Sequence, residues 1–359
     1  MKLLTEYRNP EIVKYYLNEI KKAAKGDWQI MEICGGQTHS LVKNGLLELL
    51  PKNVTMIHGP GCPVCVTPIS LIDKAIFLME QGIILCSFGD MVRVPGSKKS
   101  LLQAKAEGGD LRILYSPLEA IKIAQENPQK EVVFFAVGFE TTAPGNALAV
   151  IHAQKLGLKN FSLLTSHVLV LPAMEAILDD KFCKINAFLG AGHVCTITGY
   201  KDYHPLVEKY KISIVVSGFE PADLLKGIYH AVVQLENGEH FVENCYERWV
   251  SEEGNLPAQK VMDEIFEIGE QEWRGIGKIA DSGLVIREKY ANFDATKKFE
   301  IKSENVRIEN GCIAGEILRG NKKPFQCPEF GKRCKPSNPL GAPMVSSEGA
   351  CAAYYNYYG

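Results

Sequence analysis

Short apolar runs alternate along the chain with segments whose apolar positions recur every three or four residues, and the alternation persists to about Glu236. Asn9-Pro10 offers a capping side chain followed by proline at the first helical position. Val13, Tyr16, Leu17 and Ile20 then supply one apolar stripe, which Gly26 closes. Residues 29–33 read as a strand that runs into Cys34-Gly35-Gly36, with a leucine-rich helix through Leu50. Residues 53–57 form the next strand, ending at His58. Thr67-Pro68 is a second cap-plus-proline start, and Ile69, Ile72, Ala75, Ile76 and Met79 keep helical spacing. Further strands fall at 83–86, 112–115 and 132–137. Ser116-Pro117-Leu118-Glu119 between them is a capping box. Helices are expected near 145–156, 172–180 and 221–235, and strands near 161–165, 186–189 and 212–217. Residues 255–273 also read as helical.

Continuous apolar strands between amphipathic helices predict an α/β fold of mainly parallel sheets covered on both faces. The division expected is a first doubly wound unit in residues 1–116, a second in 117–236, and a helical, loop-rich segment over 237–359 whose tail packs back on the first unit. A weak internal repeat links the first two. "AVGFETTAPG" (136–145) and "VSGFEPADLL" (216–225) both end a strand with Gly-Phe-Glu. Equivalent strand ends in a common fold explain that echo without a functional role.

Composition narrows the classes. The chain has 359 residues, 46% hydrophobic and 23% charged, with net charge −2. Its basic residues form no stripe of the kind a nucleic-acid binder shows. The longest apolar run is too short to span a bilayer, and the N-terminus turns polar too soon for a signal peptide. A cytoplasmic location is expected. Eleven cysteines are many for a reducing compartment and point to metal or redox chemistry. Cys86, Cys183, Cys195 and Cys245 are scattered and read as small buried hydrophobes.

The other seven are clustered. Cys34 stands where a strand meets a helix, a position at which open α/β sheets bind ligands. The helix N-terminus there favours a thiolate. His39, one turn on, is a second ligand or base, or simply a solvated residue. Cys62 and Cys65 have the Cys-x-x-Cys spacing of a redox pair, or of half a zinc site with Cys34 and His39 completing it. The tail reads Cys312-x14-Cys327-x6-Cys334-x16-Cys351. It lacks the tight pairs of zinc ribbons, and spacing does not separate zinc from a [4Fe–4S] centre. Glu140, Glu220 and Asp90 at strand ends are acid–base candidates or helix caps. No P-loop, dinucleotide fingerprint or nucleophile elbow is present.

Taken together, "EICGGQTH", "GPGCPVC", "SFGDMVRVPG", "GFETTAPG" and "MVSSEGACAAYY" resemble the HypD family of hydrogenase maturation proteins over nearly the whole chain. The resemblance implies a scaffold for building the Fe(CN)2CO unit of [NiFe] hydrogenases. It implies a HypC-like chaperone as partner and a HypE-like donor of cyanide carried as thiocyanate. By the same resemblance Cys34 binds the iron, Cys62 and Cys65 are the redox pair, and Cys312, Cys327, Cys334 and Cys351 hold a [4Fe–4S] cluster. Gln37 stands where many members carry histidine. Glu348 either serves the site or only belongs to the packed tail. Two other classes compete: a thioredoxin-like disulfide oxidoreductase, and a zinc-stabilised binding module without electron transfer.

Overall fold

A computed structural model describes residues 6–301 and 310–358. Among these, strands form two sheets. Sheet 1 contains β1 (Trp28–Glu32), β2 (Val54–His58), β7 (Ala187–Ala191), β8 (Ser213–Ser217) and β9 (Val242–Asn244), in the order β2-β1-β7-β8-β9. All of its pairings are parallel. Sheet 2 contains β3 (Ile84–Ser87), β4 (Leu111–Ile113), β5 (Val132–Gly138), β6 (Phe161–Val168), β10 (Phe266–Trp273) and β11 (Gly277–Ile286), in the order β10-β11-β6-β5-β3-β4. Its β3–β6 part is parallel, while β11 pairs antiparallel with both β6 and β10. The expected α/β class with parallel-dominated sheets is therefore what forms.

Two expectations need correction. The sheets do not follow a boundary at residue 116. The chain lays down β1 and β2 in sheet 1, crosses to sheet 2 for β3–β6, returns for β7–β9, and crosses again for β10 and β11. The reason is edge satisfaction. β1 lies inside its sheet and needs a neighbour on each side for its backbone groups; β7 is that second neighbour, paired Met31 with Phe188. The segment 255–273 is not one helix either. The helix Leu256–Ile265 gives way to β10, which pairs Phe266 with Ile286 and Trp273 with Gly277. Docking of β11 on β6, Leu284 beside His167, overrides local propensity.

The strands are apolar throughout because both faces are covered. In β5, Val132, Phe134 and Ala136 enter one core, and Val133, Phe135 and Val137 enter the other. In β1, Ile30 packs under the helices Pro10–Ala23 and Pro221–Asn237, while Met31 faces the helices Val170–Leu178 and Tyr203–Tyr210. Removing a ring such as Phe134 from this packing costs about 3–5 kcal/mol. The capping signals hold locally. Asn9 Oδ1 accepts the Glu11 N–H at 2.9 Å, and Glu119 Oε1 accepts the Ser116 N–H at 2.9 Å. Thr67 differs: its hydroxyl donates back to the Pro63 carbonyl instead of opening the helix Ile69–Glu80. The Gly-Phe-Glu echo falls at the carboxyl ends of β5 and β8, one in each sheet. No helix among the described residues is long and apolar enough to cross a membrane.

Candidate functional site

The carboxyl ends of β1 and β2 place two loops side by side. The Gly35 N–H donates to the Gly61 carbonyl at 2.9 Å, and the Gly59 N–H donates to the Glu32 carbonyl at 2.9 Å. Both glycines at this crossing are required by space. A Cβ at Gly61 would run into the backbone of Ile33 and Cys34, and a Cβ at Gly35 would stand 3.2 Å from the Cβ of Cys62. The loop carrying Cys34 and the loop carrying Cys62 are thereby locked together.

Cys34 caps the helix Gly35–Lys43 and is half-buried. Sequence reasoning expected the helix N-terminus to favour its thiolate. In the metal-free chain the balance goes the other way. Burial pushes the thiol up to about 12, and the carboxylates of Glu348 and Glu32 add to the rise against the N–H groups of Gly36 and Gln37. The sulfur becomes a thiolate only opposite a cation. Glu348 itself is raised by burial, with Asp90 and Glu32 contributing.

The tail brings Glu348 there through three anchors. The Ser346 hydroxyl donates to Asp90 at 3.1 Å, the Ser347 carbonyl lies 3.0 Å from His39 Nδ1, and the Arg93 guanidinium reaches the Val345 carbonyl at 3.5 Å. His39 thus binds the tail with Nδ1, and its ring meets Tyr357 edge-on. Gln37 is fully buried and faces strand ends: its amide donates to the carbonyls of Gly190 and Ser217, each at 3.2 Å.

A buried polar chain under Cys34 escaped sequence reasoning. Glu32 accepts the Cys34 N–H at 3.0 Å, the hydroxyl of Thr38, and sits 2.8 Å from His58 Nδ1. His58 Nε2 then meets the Tyr354 hydroxyl at 3.0 Å. Burial lowers the pKa of His58 despite Glu32 beside it. The signal was present only as a glutamate two residues before a cysteine and a histidine at a strand end.

Cys62 and Cys65 are joined as a disulfide, with Cα atoms 5.2 Å apart. Cys62 caps the one-turn helix Pro63–Val66, and the Cys65 N–H donates to its sulfur at 3.3 Å. The pair is only 3% and 1% exposed. Ala342 and Val345 belong to the apolar cluster that buries it, while Met344 between them packs with Cys334 and Cys351. One short wall, Ala342–Val345, therefore has the disulfide on one side and tail cysteines on the other.

The four tail cysteines converge. Cys334 and Cys351 are buried, Cys312 and Cys327 half-buried. Burial raises the Cys312 thiol and raises that of Cys351 well above its ordinary value, and the other tail sulfurs push both further. Four such thiols ionise together only around a cationic centre. Four cysteines brought to one place are a donor set that could hold a metal centre.

The remaining candidates divide. Glu140 Oε1 accepts the N–H of Val170 at 2.9 Å, so it caps the helix Val170–Leu178, and burial raises its pKa to about 7. Glu220 caps the helix Pro221–Asn237 and binds Arg8 at 2.5 and 2.8 Å. Cys86, Cys195 and Cys245 are buried, with thiols pushed up to about 12, which suits inert packing.

With this geometry in place, comparison with known proteins is direct. Residues 11–358 match the family model HypD, described as the hydrogenase formation hypA family. The chain is 47% identical over 367 residues to the hydrogenase maturation factor HypD of Azotobacter vinelandii, covering 99% of this chain and 97% of that one. It is 43% identical over 366 residues to its counterpart in Escherichia coli strain K12, covering 99% and 98%. Against that of Cupriavidus necator it is 44% identical over 368 residues, covering 99% and 97%. The chain belongs to the HypD family of hydrogenase maturation factors.

Proposed function

We propose that this chain is the scaffold and redox component on which the Fe(CN)2CO unit of a [NiFe] hydrogenase is assembled, with iron and its diatomic ligands as cargo. The observation that supports the reading is the lock between the Cys34 and Cys62 loops, which brings Cys34 close to the Cys62–Cys65 pair. Cys34 supplies one thiolate to the iron, and a cysteine of a HypC-like chaperone supplies another. Ferrous iron provides the cation that Cys34, beside Glu348, needs for ionisation. Soft thiolate and cyanide ligands suit that metal.

A HypE-like partner brings cyanide as a thiocyanate, R–S–C≡N. The reduced pair reacts as R–SCN + 2 Cys–SH → R–SH + CN⁻ + H⁺ + Cys–S–S–Cys. The S–CN bond breaks, the Cys62–Cys65 bond forms, and two electrons pass to the leaving sulfur. Burial of the pair under Ala342–Val345 keeps solvent and stray thiols away. Resetting the disulfide takes two electrons and two protons. Cys312, Cys327, Cys334 and Cys351 would hold a [4Fe–4S] cluster, which supplies one-electron chemistry when bound. Ala342 and Val345 pack in the cluster of the disulfide, and Met344 between them packs with Cys334 and Cys351.

A general disulfide oxidoreductase would meet its partners at the surface, and sulfurs 3% and 1% exposed suit a slender chain-terminal thiocyanate better than a disulfide held in a folded protein. A zinc module is disfavoured because zinc has no redox chemistry with which to reset the disulfide. The test is anaerobic coexpression with a HypC-like partner, followed by infrared spectroscopy. Cyanide and carbonyl stretches that vanish in Cys34→Ala are expected. Bands that persist in that variant rule out the anchoring role.

A further inference from the structure

The segment around the tail cysteines is charged unlike the rest of the molecule. Between Arg319 and Lys335 it carries six cations and one carboxylate; Lys323 turns inward to the Met56 carbonyl and Arg319 is held by Glu316, which leaves Lys322, Lys332 and Arg333 exposed and Lys335 half-buried. The carboxylate, Glu329, is held by Arg333 at 3.2 Å. Lys332 and Lys335, on either side of Cys334, have no acidic partner among the described residues. Beside them lies an aromatic surface. Phe325 is 52% exposed, Tyr355 41% and Tyr358 43%. Phe325 stacks on Tyr358 at 6.0 Å, and Phe330 meets Tyr355 edge-on at 6.2 Å. Cys327 lies between Phe325 and Phe330 in sequence, and Cys351 shares the helix Ala350–Tyr357 with Tyr355. Contiguous exposed aromatic surface rimmed by one sign of charge marks an interaction site.

We propose that this basic aromatic face docks an acidic, low-potential, one-electron carrier protein. The inference rests on the reading of the four cysteines as cluster ligands and adds where electrons enter. Charge complementarity selects the occupant: a carrier of negative surface is steered to Lys332 and Lys335 and released readily, as short electron-transfer encounters require. Phe330 of this face packs with Cys334 and Cys351, whereas the proposed cyanide chemistry falls to the Cys62–Cys65 pair. Cys312, Cys327, Cys334 and Cys351 would hold the centre that takes one electron per encounter from the carrier's reduced centre, with no bond broken and no proton moved. Two encounters and two protons return Cys62 and Cys65 to thiols.

The probe is a reduced plant-type [2Fe–2S] ferredoxin, with dithionite as a small reductant that needs no docking. Cluster bleaching is followed by anaerobic stopped flow and ferredoxin affinity by titration calorimetry, on protein whose iron content has been counted. The ferredoxin rate and affinity are expected to fall about tenfold between low and moderate salt. Lys332→Glu/Lys335→Glu is expected to lower both about tenfold, with the dithionite rate unchanged. Tyr358→Ser, seven residues beyond Cys351 where Lys332 and Lys335 flank Cys334 closely, guards against loss of the cluster in the charge variant and is expected to weaken ferredoxin binding several-fold. A ferredoxin rate and affinity indifferent to salt and to all these changes overturn the docking face alone. Protein that holds no iron and shows no dithionite bleaching overturns the cluster reading and this inference together.

Discussion

Glu348 presses on Gly35 so closely that a Cβ at residue 35 would stand 2.6 Å from the Cβ of Glu348. The tail and the Cys34 loop are thus fitted to each other at a point where only glycine is small enough. Gly35→Ala is expected to displace the tail, costing about 1–3 kcal/mol. Denaturant titration measures that cost, and iron retained after anaerobic coexpression should fall in parallel. Retention at the parental level with unchanged stability would show that the tail yields freely.

The raised thiol of Cys34 has a kinetic consequence. With its pKa pushed up to about 12, metal-free Cys34 should alkylate slowly near neutrality and faster with each step of rising pH. Glu348→Gln removes a negative neighbour, lowers that pKa and should speed labelling at fixed pH. Mass spectrometry of the Cys34 peptide after timed iodoacetamide treatment reads both effects.

Glu140 ties stability to pH. Its folded-state pKa near 7 lies above the ordinary carboxylate value, so the folded chain holds the proton more tightly than the unfolded chain. That stabilisation is complete below about pH 4 and is lost as pH rises toward 7. Glu140→Gln can still accept the Val170 N–H. It should match the parent at pH 4.5 and exceed its stability by about 2 kcal/mol at pH 8. Equal stability of the two at pH 8 would mean that the carboxylate is better solvated than its burial implies.

Gly341 offers a test of the proposed tail cluster without changing any of the four cysteines. A Cβ there would collide with Cys312 Sγ. Gly341→Ala should lower iron and acid-labile sulfide per chain and weaken absorbance near 400 nm, as Cys327→Ser should do more completely. Full iron content in Cys327→Ser would remove that residue from the ligand set.

Tyr354→Phe deletes the partner of His58 Nε2 and leaves a buried nitrogen unpaired. The expected loss is about 1–3 kcal/mol, read as a lower melting temperature. A neutral result would place a water at the vacated position.

Much of this was legible in the residues. Asn9-Pro10 and the Ser116–Glu119 box declare helix starts because capping is local chemistry. The run 132–137 declares a strand buried on both faces for the same reason. Strand order was not legible. Nothing near β1 says that β7 will lie beside it, because pairing across a sheet is decided by the whole fold. The β10–β11 hairpin hid behind a stretch whose helical pattern ends only at Ile265. The chain from Glu32 through His58 to Tyr354 joins residues from both ends of the sequence, so no spacing rule reaches it.

The backbone passes between the two sheets three times, in residues 59–83, 169–186 and 245–265. Neither half is a continuous stretch of gene, so neither can be trimmed away or swapped as a cassette. Any rocking of one half against the other to admit cargo must be absorbed in those three bridges. Cys62 and Cys65 lie in the first of them, so the bond between them closes a turn inside one of the three strands of backbone that tie the two sheets together.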